Sequence, residues 1–357
     1  MCPPENKIVS LIKSLQTTDF RGKSVKMASL SKLPISENDP IQCSQTVDKS
    51  NSVPVYWINL EKSVTRREYF GKQMNAMGIF NRRVVAVTPH DKVVRSSQLK
   101  VVSKVKHTDA ELSCLISHLL AIHKAVYDTD NSTRNNPYAI ITEDDIEFEM
   151  DVDFLTLAEN APAGFGVLQL TTSSGTAVDS FWEKYKIEMN RKVKNNFNFS
   201  QSQFPSTILW NRRVYDSPFW SCQAYLINKQ VVRKFIDRVV AYNSTTGNYT
   251  VNIVNPSYKL FPCRNGEICQ LPYRIVSETY IYSGCHPSYI TRVPIFNGSP
   301  AGQNTTIHKR KNNDLSHAKN FAQIEGVLKN VREHSHILPP YIRVKKCNAP
   351  VKSASCN

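Results

Sequence analysis

Tyr138-Ala-Ile-Ile-Thr-Glu-Asp-Asp-Ile-Glu-Phe148 is an apolar run that stops on three consecutive carboxylates. A short, β-rich run such as Tyr138 to Ile141 reads as a buried strand. In open α/β sheets, ligands gather beyond the carboxyl ends of the strands. Glu143, Asp144 and Asp145 are therefore expected at a sheet edge, facing a crevice. Three acids in a row repel one another unless a cation or a donor-rich ligand offsets the charge. The pattern suggests a hard-metal site that holds a nucleotide diphosphate. A solvated turn after a strand accounts for the same letters equally well.

The stretches before the acids suggest what surrounds them. Val53-Pro-Val-Tyr-Trp-Ile-Asn-Leu60 is β-branched and aromatic and makes a first strand. A helix pattern follows over 65–77, stopped by Gly78, and a second strand over 83–87. This strand, helix, strand succession opens a parallel α/β domain. Thr108-Asp-Ala-Glu111 is a capping box. The helix it starts carries Leu112, Leu115, Ile116, Leu119, Ile122 and Val126 on one stripe and leads back to the Tyr138 strand. His118 falls at the edge of that stripe, where a half-buried structural histidine is the plainer reading.

Residues 1–52 are rich in Lys, Ser, Thr, Asn and Pro and read as a flexible N-terminal extension. The folded domain is expected over 53–310, with a helix and a basic tail over 311–357. The chain has 357 residues, of which 41% are hydrophobic, enough for a real core and against dominant disorder. Its 45 Lys and Arg against 30 Asp and Glu give a net charge of +15, which attracts nucleic acid, acidic lipid or phosphate-bearing substrates without choosing among them. The 9 cysteines form no CxxC pair, which argues against zinc and for free thiols in a reducing compartment. Cys263 and Cys269 flank a loop and can pair only in an oxidising lumen. The N-terminal sequence lacks the apolar core of a signal peptide, and no run approaches the ~20 apolar residues of a membrane span. A soluble, cytoplasmic protein is the expectation. Glycine-rich phosphate loops and a Gly-x-Ser-x-Gly elbow are missing, against kinase, dehydrogenase and hydrolase readings.

Four blocks then fall in a telling order: Ile58-Asn-Leu60 with Ser63-Val-Thr-Arg66; Arg82-Arg-Val-Val-Ala-Val87; Glu111-Leu-Ser-Cys-Leu-Ile-Ser-His118; and Ile141-Thr-Glu-Asp-Asp-Ile146. Together with Phe219-Trp-Ser-Cys-Gln-Ala-Tyr-Leu-Ile-Asn228, they resemble glycosyltransferase family 25, the lipopolysaccharide and collagen galactosyltransferases and enzymes of large DNA viruses. The resemblance covers about residues 53–310. The chain departs from the family pattern in the Ser-Cys pair after Trp220 and in Glu278, where an Asp is commoner. The resemblance implies a GT-A (Rossmann-like) nucleotide-diphospho-sugar transferase fold, α/β with a mostly parallel central sheet flanked by helices. It implies a UDP-sugar donor carrying galactose or glucose, Mn²⁺ or Mg²⁺ as cofactor, inversion at the anomeric carbon and a glycan or protein hydroxyl as acceptor. A basic member without a retention signal looks like the virus-encoded type, acting on capsid glycoproteins in the host cytoplasm and not on nucleic acid. The competing reading is a basic polyanion-binding α/β protein, or a nucleotide-sugar binder without turnover.

By the same resemblance, Asp145 is the direct metal ligand, and Glu143 a ligand through water or a ribose contact. Asp144 is turned toward the other face, since side chains alternate in extended chain. His308 is the candidate third ligand, with His286 behind it. Arg66, just after the first strand, can pair with phosphate or lie on a helix surface. Asn59 can seat the nucleotide or be a buried turn residue. Glu278 is the first candidate for the base that takes the acceptor proton, and Asp216 the second. Trp220 and Tyr225 can stack on a sugar, and Trp220 can equally be a core aromatic.

Overall fold

The computed structural model describes residues 52–98, 108–195, 204–213, 219–253, 261–262, 268–269, 277–299 and 311–345. Apart from Ser52, the expected N-terminal extension lies outside them, as does Cys263. The first strand, β1 (Val55–Asn59), runs into helix α1 (Val64–Met77), which Gly78 ends in the left-handed region at φ 64°. Glycine meets no Cβ penalty there. The second strand, β2 (Asn81–Val85), pairs with β1 in parallel, Val55 opposite Asn81 and Asn59 opposite Val85. It starts two residues earlier than the apolar letters suggest. Its polar residues all have partners: Asn81 accepts from the Trp57 indole, Arg82 reaches Asp128, and Arg83 reaches Asn59 and Glu61.

After α2 (Lys92–Gln98) comes α3 (Asp109–Val126). Its capping box is complete: Glu111 N donates to the Thr108 hydroxyl at 3.2 Å, and Thr108 N donates to the Glu111 carboxylate at 2.8 Å. A short turn, α4 (Asn131–Arg134), precedes β3 (Tyr138–Glu143). Strands β4 (Ile146–Phe148) and β5 (Met150–Val152), α5 (Phe154–Glu159), β6 (Val167–Gln169) and α6 (Gly175–Lys194) follow. Then come α7 (Ser206–Leu209), β7 (Trp210–Arg212), β8 (Ala224–Asn228), α8 (Lys229–Val239) and a hairpin of β9 (Val240–Asn243) and β10 (Asn248–Val251). The remainder comprises β11 (Phe261–Pro262), β12 (Ile268–Cys269), α9 (Ser277–Gly284), β13 (Ser288–Thr291), β14 (Phe296–Gly298), α10 (Lys311–Glu333) and β15 (Ile342–Val344).

Among the described residues the central sheet has seven strands in the order β2-β1-β3-β8-β6-β13-β7. It is mixed. Pairs β1–β2, β1–β3 and β6–β13 are parallel, whereas β3–β8, β6–β8 and β7–β13 are antiparallel. Five strands thus share one direction, and β8 and β7 run against it. The expectation of a mostly parallel sheet holds for strand direction but not for neighbour pairing. The reversal of β8 matters most: with Tyr138 opposite Asn228 and Thr142 opposite Ala224, the residues just before β8 lie beside the end of β3.

Strand side chains alternate between two cores, one on each face of the sheet. Val55, Trp57, Ile140 and Leu226 point into one, with Phe70 of α1, Trp182 and Tyr185 of α6 and Leu328 and Val331 of α10. Tyr56, Ile58, Ile141 and Ile227 point into the other, with Leu112, Leu115, Ile116 and Leu119 of α3 and Phe235 of α8. Each fully buried side chain of this size contributes about 1.5–3 kcal/mol from water exclusion. The C-terminal helix belongs to this architecture. The Trp182 indole donates to Asn330 at 2.6 Å, and β15 pairs with β5. A Cβ on Gly298 would lie 1.8 Å from the Phe321 ring, so any larger residue there requires that ring to move. The domain expected to close at 310 therefore shares its core with residues beyond that boundary.

Candidate active site at the end of β3

Glu143 is the last residue of β3, and Asp144 and Asp145 form the turn into β4. The turn is held by backbone: Glu143 N donates to Gln223 O at 2.8 Å, and Ser299 N donates to Asp145 O at 2.7 Å. Two of the three carboxylates share Arg66, and the third does not. Asp144 is buried; it accepts from the Asn59 amide and pairs with Arg66 at 3.3 Å. Asp145 is approached by Arg66 at 3.8 Å and by the Gln223 amide at 3.4 Å. Glu143 turns toward α3 and meets His118 Nε2 at 3.2 Å. Asp144 does not turn to the other face from Asp145, because the two sit in a turn and meet the same Arg66 nitrogen; it is Glu143 that turns away.

Asn59 is itself buried, and its amide also donates to Ser63 O at 3.1 Å while Arg83 donates to its side-chain oxygen at 2.9 Å. It therefore fixes Asp144. Arg66 sits in the first turn of α1, whose start lies beyond the end of β1, so a helix residue reaches the acids.

Charge is poorly balanced here. Burial, followed by the neighbouring charges of Glu143 and Asp144, pushes the Asp145 carboxyl well above its ordinary range despite Arg66. Burial also raises Asp144, against the opposing pull of Arg66 and Asn59. Burial would raise Glu143 too, but the hydrogen bond and charge of His118 outweigh it and hold Glu143 below the usual value. The acids that lack an adequate cation are Asp144 and Asp145.

A second group adjoins them. His118 is almost fully buried; its Nδ1 lies 3.1 Å from the Tyr225 hydroxyl and its Nε2 3.2 Å from Cys222 Sγ. Cys222 Sγ is 3.6 Å from Glu143 Oε1. Cys114, one helical turn before His118, completes a set of four whose potential ligand atoms all lie within 4.8 Å of one another. Burial opposes charge on His118, yet its bonds to Cys114 and Glu143 raise it to about 10. The hydrogen bond from Cys222 lowers the Cys114 thiol to about 6, and the same bond together with burial raises Cys222. The histidine expected to be a half-buried structural residue is thus fully buried and in contact with an acid of the site. The i, i+4 spacing of Cys114 and His118 puts both on one helix face, a signal present in the sequence. Nothing local places Cys222 and Gln223, which arrive through the β3–β8 pairing.

The segment before β8 forms the far wall. Trp220 is 53% exposed, which removes the core-aromatic reading. Its carbonyl accepts from the Thr172 hydroxyl at 2.8 Å and from Ser173 N at 3.1 Å. Ser221 has φ 116°, and its carbonyl accepts from the Tyr282 hydroxyl at 2.8 Å and from Gln169 at 3.1 Å. Glu278, in the first turn of α9, accepts from Ser221 N at 3.3 Å. Tyr225 is fully buried under His118, which removes it as a stacking surface.

His286 precedes β13, which runs in the direction of β3, so it stands at the opposite end of the sheet from the acids and pairs with Arg212 at 3.2 Å. It is excluded as a ligand for the acid site. His308 and Asp216 lie outside the described residues.

The profile of glycosyltransferase family 25, described as lipopolysaccharide biosynthesis proteins, matches residues 52–251. That span is more than half of the chain and includes β1, α3, the acid turn and β8. The chain belongs to this family and is a glycosyltransferase, which implies a donor sugar, commonly carried on a nucleotide, and a separate acceptor. No curated protein matches the chain. Among the described residues no helix is long and apolar enough to cross a membrane.

Proposed function

We propose that this chain is a divalent-metal-dependent, inverting hexosyltransferase of GT-A fold, moving galactose or glucose from a UDP-sugar to a hydroxyl of a glycan or protein. The observation that carries the reading is geometric: three consecutive carboxylates at the end of β3, of which Asp144 and Asp145 share the single guanidinium of Arg66. The acids would hold a hard cation there, and its charge would offset the charge that builds on a departing diphosphate. Asp145 is the proposed direct ligand and His308 a further one, while Glu143, which faces His118, is not assigned to this ion. Arg66 adds a guanidinium suited to a phosphate pair. Asn59 and Asp144 act as positioning residues for Arg66 and the turn. The exposed Trp220 ring offers an apolar face for a hexose.

In the proposed transfer the acceptor oxygen bonds to the anomeric carbon as the bond from that carbon to the phosphate oxygen breaks, and the electron pair leaves with UDP. The acceptor proton goes to Glu278, which can take it only as a free carboxylate. The test is a panel of UDP-sugars turned over with and without Mn²⁺, repeated on Asp145→Ala. The expected result is metal-dependent turnover of at least one donor, reduced about 10²–10⁴-fold in the variant, the scale of losing several kcal/mol of charge stabilisation. Unchanged turnover in Asp145→Ala, or no donor bound or cleaved, overturns the reading.

A further inference from the structure

We propose that Cys114, His118, Glu143 and Cys222 form a tetrahedral zinc site, distinct from the oxygen-ligand site at Asp145, that pins α3 to the end of β3 and to the segment before β8. The donor set is two thiols, an imidazole and a carboxylate, which suits borderline-soft Zn²⁺ and is foreign to Mg²⁺ or Mn²⁺. The spacing suits it as well. With bonds of ~2.0–2.3 Å, a tetrahedral zinc site has donor–donor edges of about 3.3–3.8 Å. Here His118 Nε2 lies 3.2 Å from Glu143 Oε1 and 3.2 Å from Cys222 Sγ, and Cys222 Sγ lies 3.6 Å from Glu143 Oε1. No potential ligand atom of the four is more than 4.8 Å from another, so closing on an ion takes side-chain shifts of about 1 Å.

The surroundings are those of a ligand set. A metal-bound histidine is usually oriented through its other ring nitrogen. His118 has the Tyr225 hydroxyl at Nδ1, which leaves Nε2 for the ion. The Ser277 hydroxyl donates to Cys114 Sγ at 3.4 Å, the kind of hydrogen bond that steadies a metal-bound thiolate. Cys114 and His118 come from one face of α3 at i, i+4, Glu143 from the end of β3 and Cys222 from the segment before β8, so three separate parts of the chain are tied at one point. Zinc binding displaces the thiol protons to solvent, and affinity therefore rises with pH. The expectation of no zinc site, drawn from the lack of a CxxC pair, does not apply to ligands brought together by the fold.

The inference goes beyond the proposed transfer and can fail separately from it. The full chain, purified and stripped with a chelator, would be titrated with Co²⁺ and then with Zn²⁺. The expected result is one Co²⁺ per chain with intense tetrahedral visible bands and a sulfur-to-cobalt charge-transfer band, all bleached by one equivalent of Zn²⁺. Cys222→Ser should lose most of the charge-transfer intensity, Tyr225→Phe should weaken zinc by about 10–100-fold, and Cys285→Ser, a buried thiol outside the cluster, should change nothing. Asp145→Asn should keep the spectrum even as it removes turnover. If Cys222→Ser fails to fold, alkylation mapping on the native chain still decides, because Zn²⁺ should shield Cys114 and Cys222 together. A Co²⁺ spectrum without sulfur ligation, a spectrum lost in Asp145→Asn, or a Cys114–Cys222 disulfide in place of bound metal each overturns the site.

Discussion

Where β1 and β3 begin, Asp128 sits buried among the Tyr56 hydroxyl, Asp130 N at 3.1 Å and Arg82 at 2.8 Å, while Lys229 nearby donates to Thr133 O at 2.9 Å. Where the same strands end, Asp144 and Asp145 share one guanidinium, that of Arg66. Both are buried carboxylate clusters on one sheet, but burial acts differently on them. At Asp128 it would raise the carboxyl, but the Tyr56 hydroxyl, the Asp130 amide and Arg82 together hold it below its usual value. At Asp145 burial and two like charges prevail and the carboxyl rises. A network satisfied by its own chain stabilises the fold. One left short of positive charge is a place for a ligand to supply it.

The comparison breaks most visibly under substitution. Asp128→Ala leaves the Tyr56 hydroxyl and Arg82 without their shared acceptor, and removing one partner of a buried pair costs about 3–5 kcal/mol. Denaturant unfolding should show that loss, and donor binding to the remaining folded fraction should be unaltered. A loss below about 1 kcal/mol would mean that the Asp128 network contributes little and that the two ends of the sheet differ less than their charges suggest.

At the other end, removing a charge should stabilise. A carboxyl whose folded pKa lies above its unfolded value of ~3.9 binds more protons folded than unfolded between those two values. Stability conferred by the protonated form is therefore complete below the unfolded value and is lost as pH rises through the folded one, with a slope of up to ~1.4 kcal/mol per pH unit. Asp145→Asn lacks that slope. In metal-free buffer with a chelator, thermal unfolding should show the variant and the parent equal near pH 4 and the variant increasingly more stable above it. Equal stability at all pH values would show that Asp145 is not held above its ordinary range. Added Mn²⁺ should narrow the gap by stabilising only the parent.

The acid turn and the elements around it are legible in the sequence, because their informative features are local, whereas the Asp128 network is not. The capping box at Thr108 and Glu111, the stripe from Leu112 to Val126 and the apolar run ending at Glu143 each fall within a few residues. Non-local pairing was not legible. Cys222 reaches Glu143 across 79 residues of chain, and nothing in Ala224 to Asn228 states that the strand runs against β3. For the same reason Ile324, Val327, Leu328 and Val331 read as a helix but not as part of the main core. Arg66 and Asn59 left two meanings open in sequence, and the contact that separates them, Asn59 to Asp144, spans 85 residues.

Ser221 offers the finest test of the active-site end. Its φ of 116° lies where side chains are disfavoured, at a cost of order 1–3 kcal/mol. Tyr282, Gln169 and Glu278 hold its backbone there. Ser221→Gly relieves the strain but adds chain freedom in the unfolded state, about 0.5–1 kcal/mol. It also loses the bond from Gln223 N to the Ser221 hydroxyl, 3.1 Å long and worth about 0.5–1.5 kcal/mol net. These terms nearly cancel, leaving a change of no more than about 2 kcal/mol in either direction, seen as a melting temperature shifted by a few degrees at most. Because Gln223 also donates to Asp145, the same variant should loosen the acid turn and raise the KM for donor more than it lowers kcat. A melting temperature lowered by several degrees would show that the hydroxyl, and not the backbone ties, fixes this conformation.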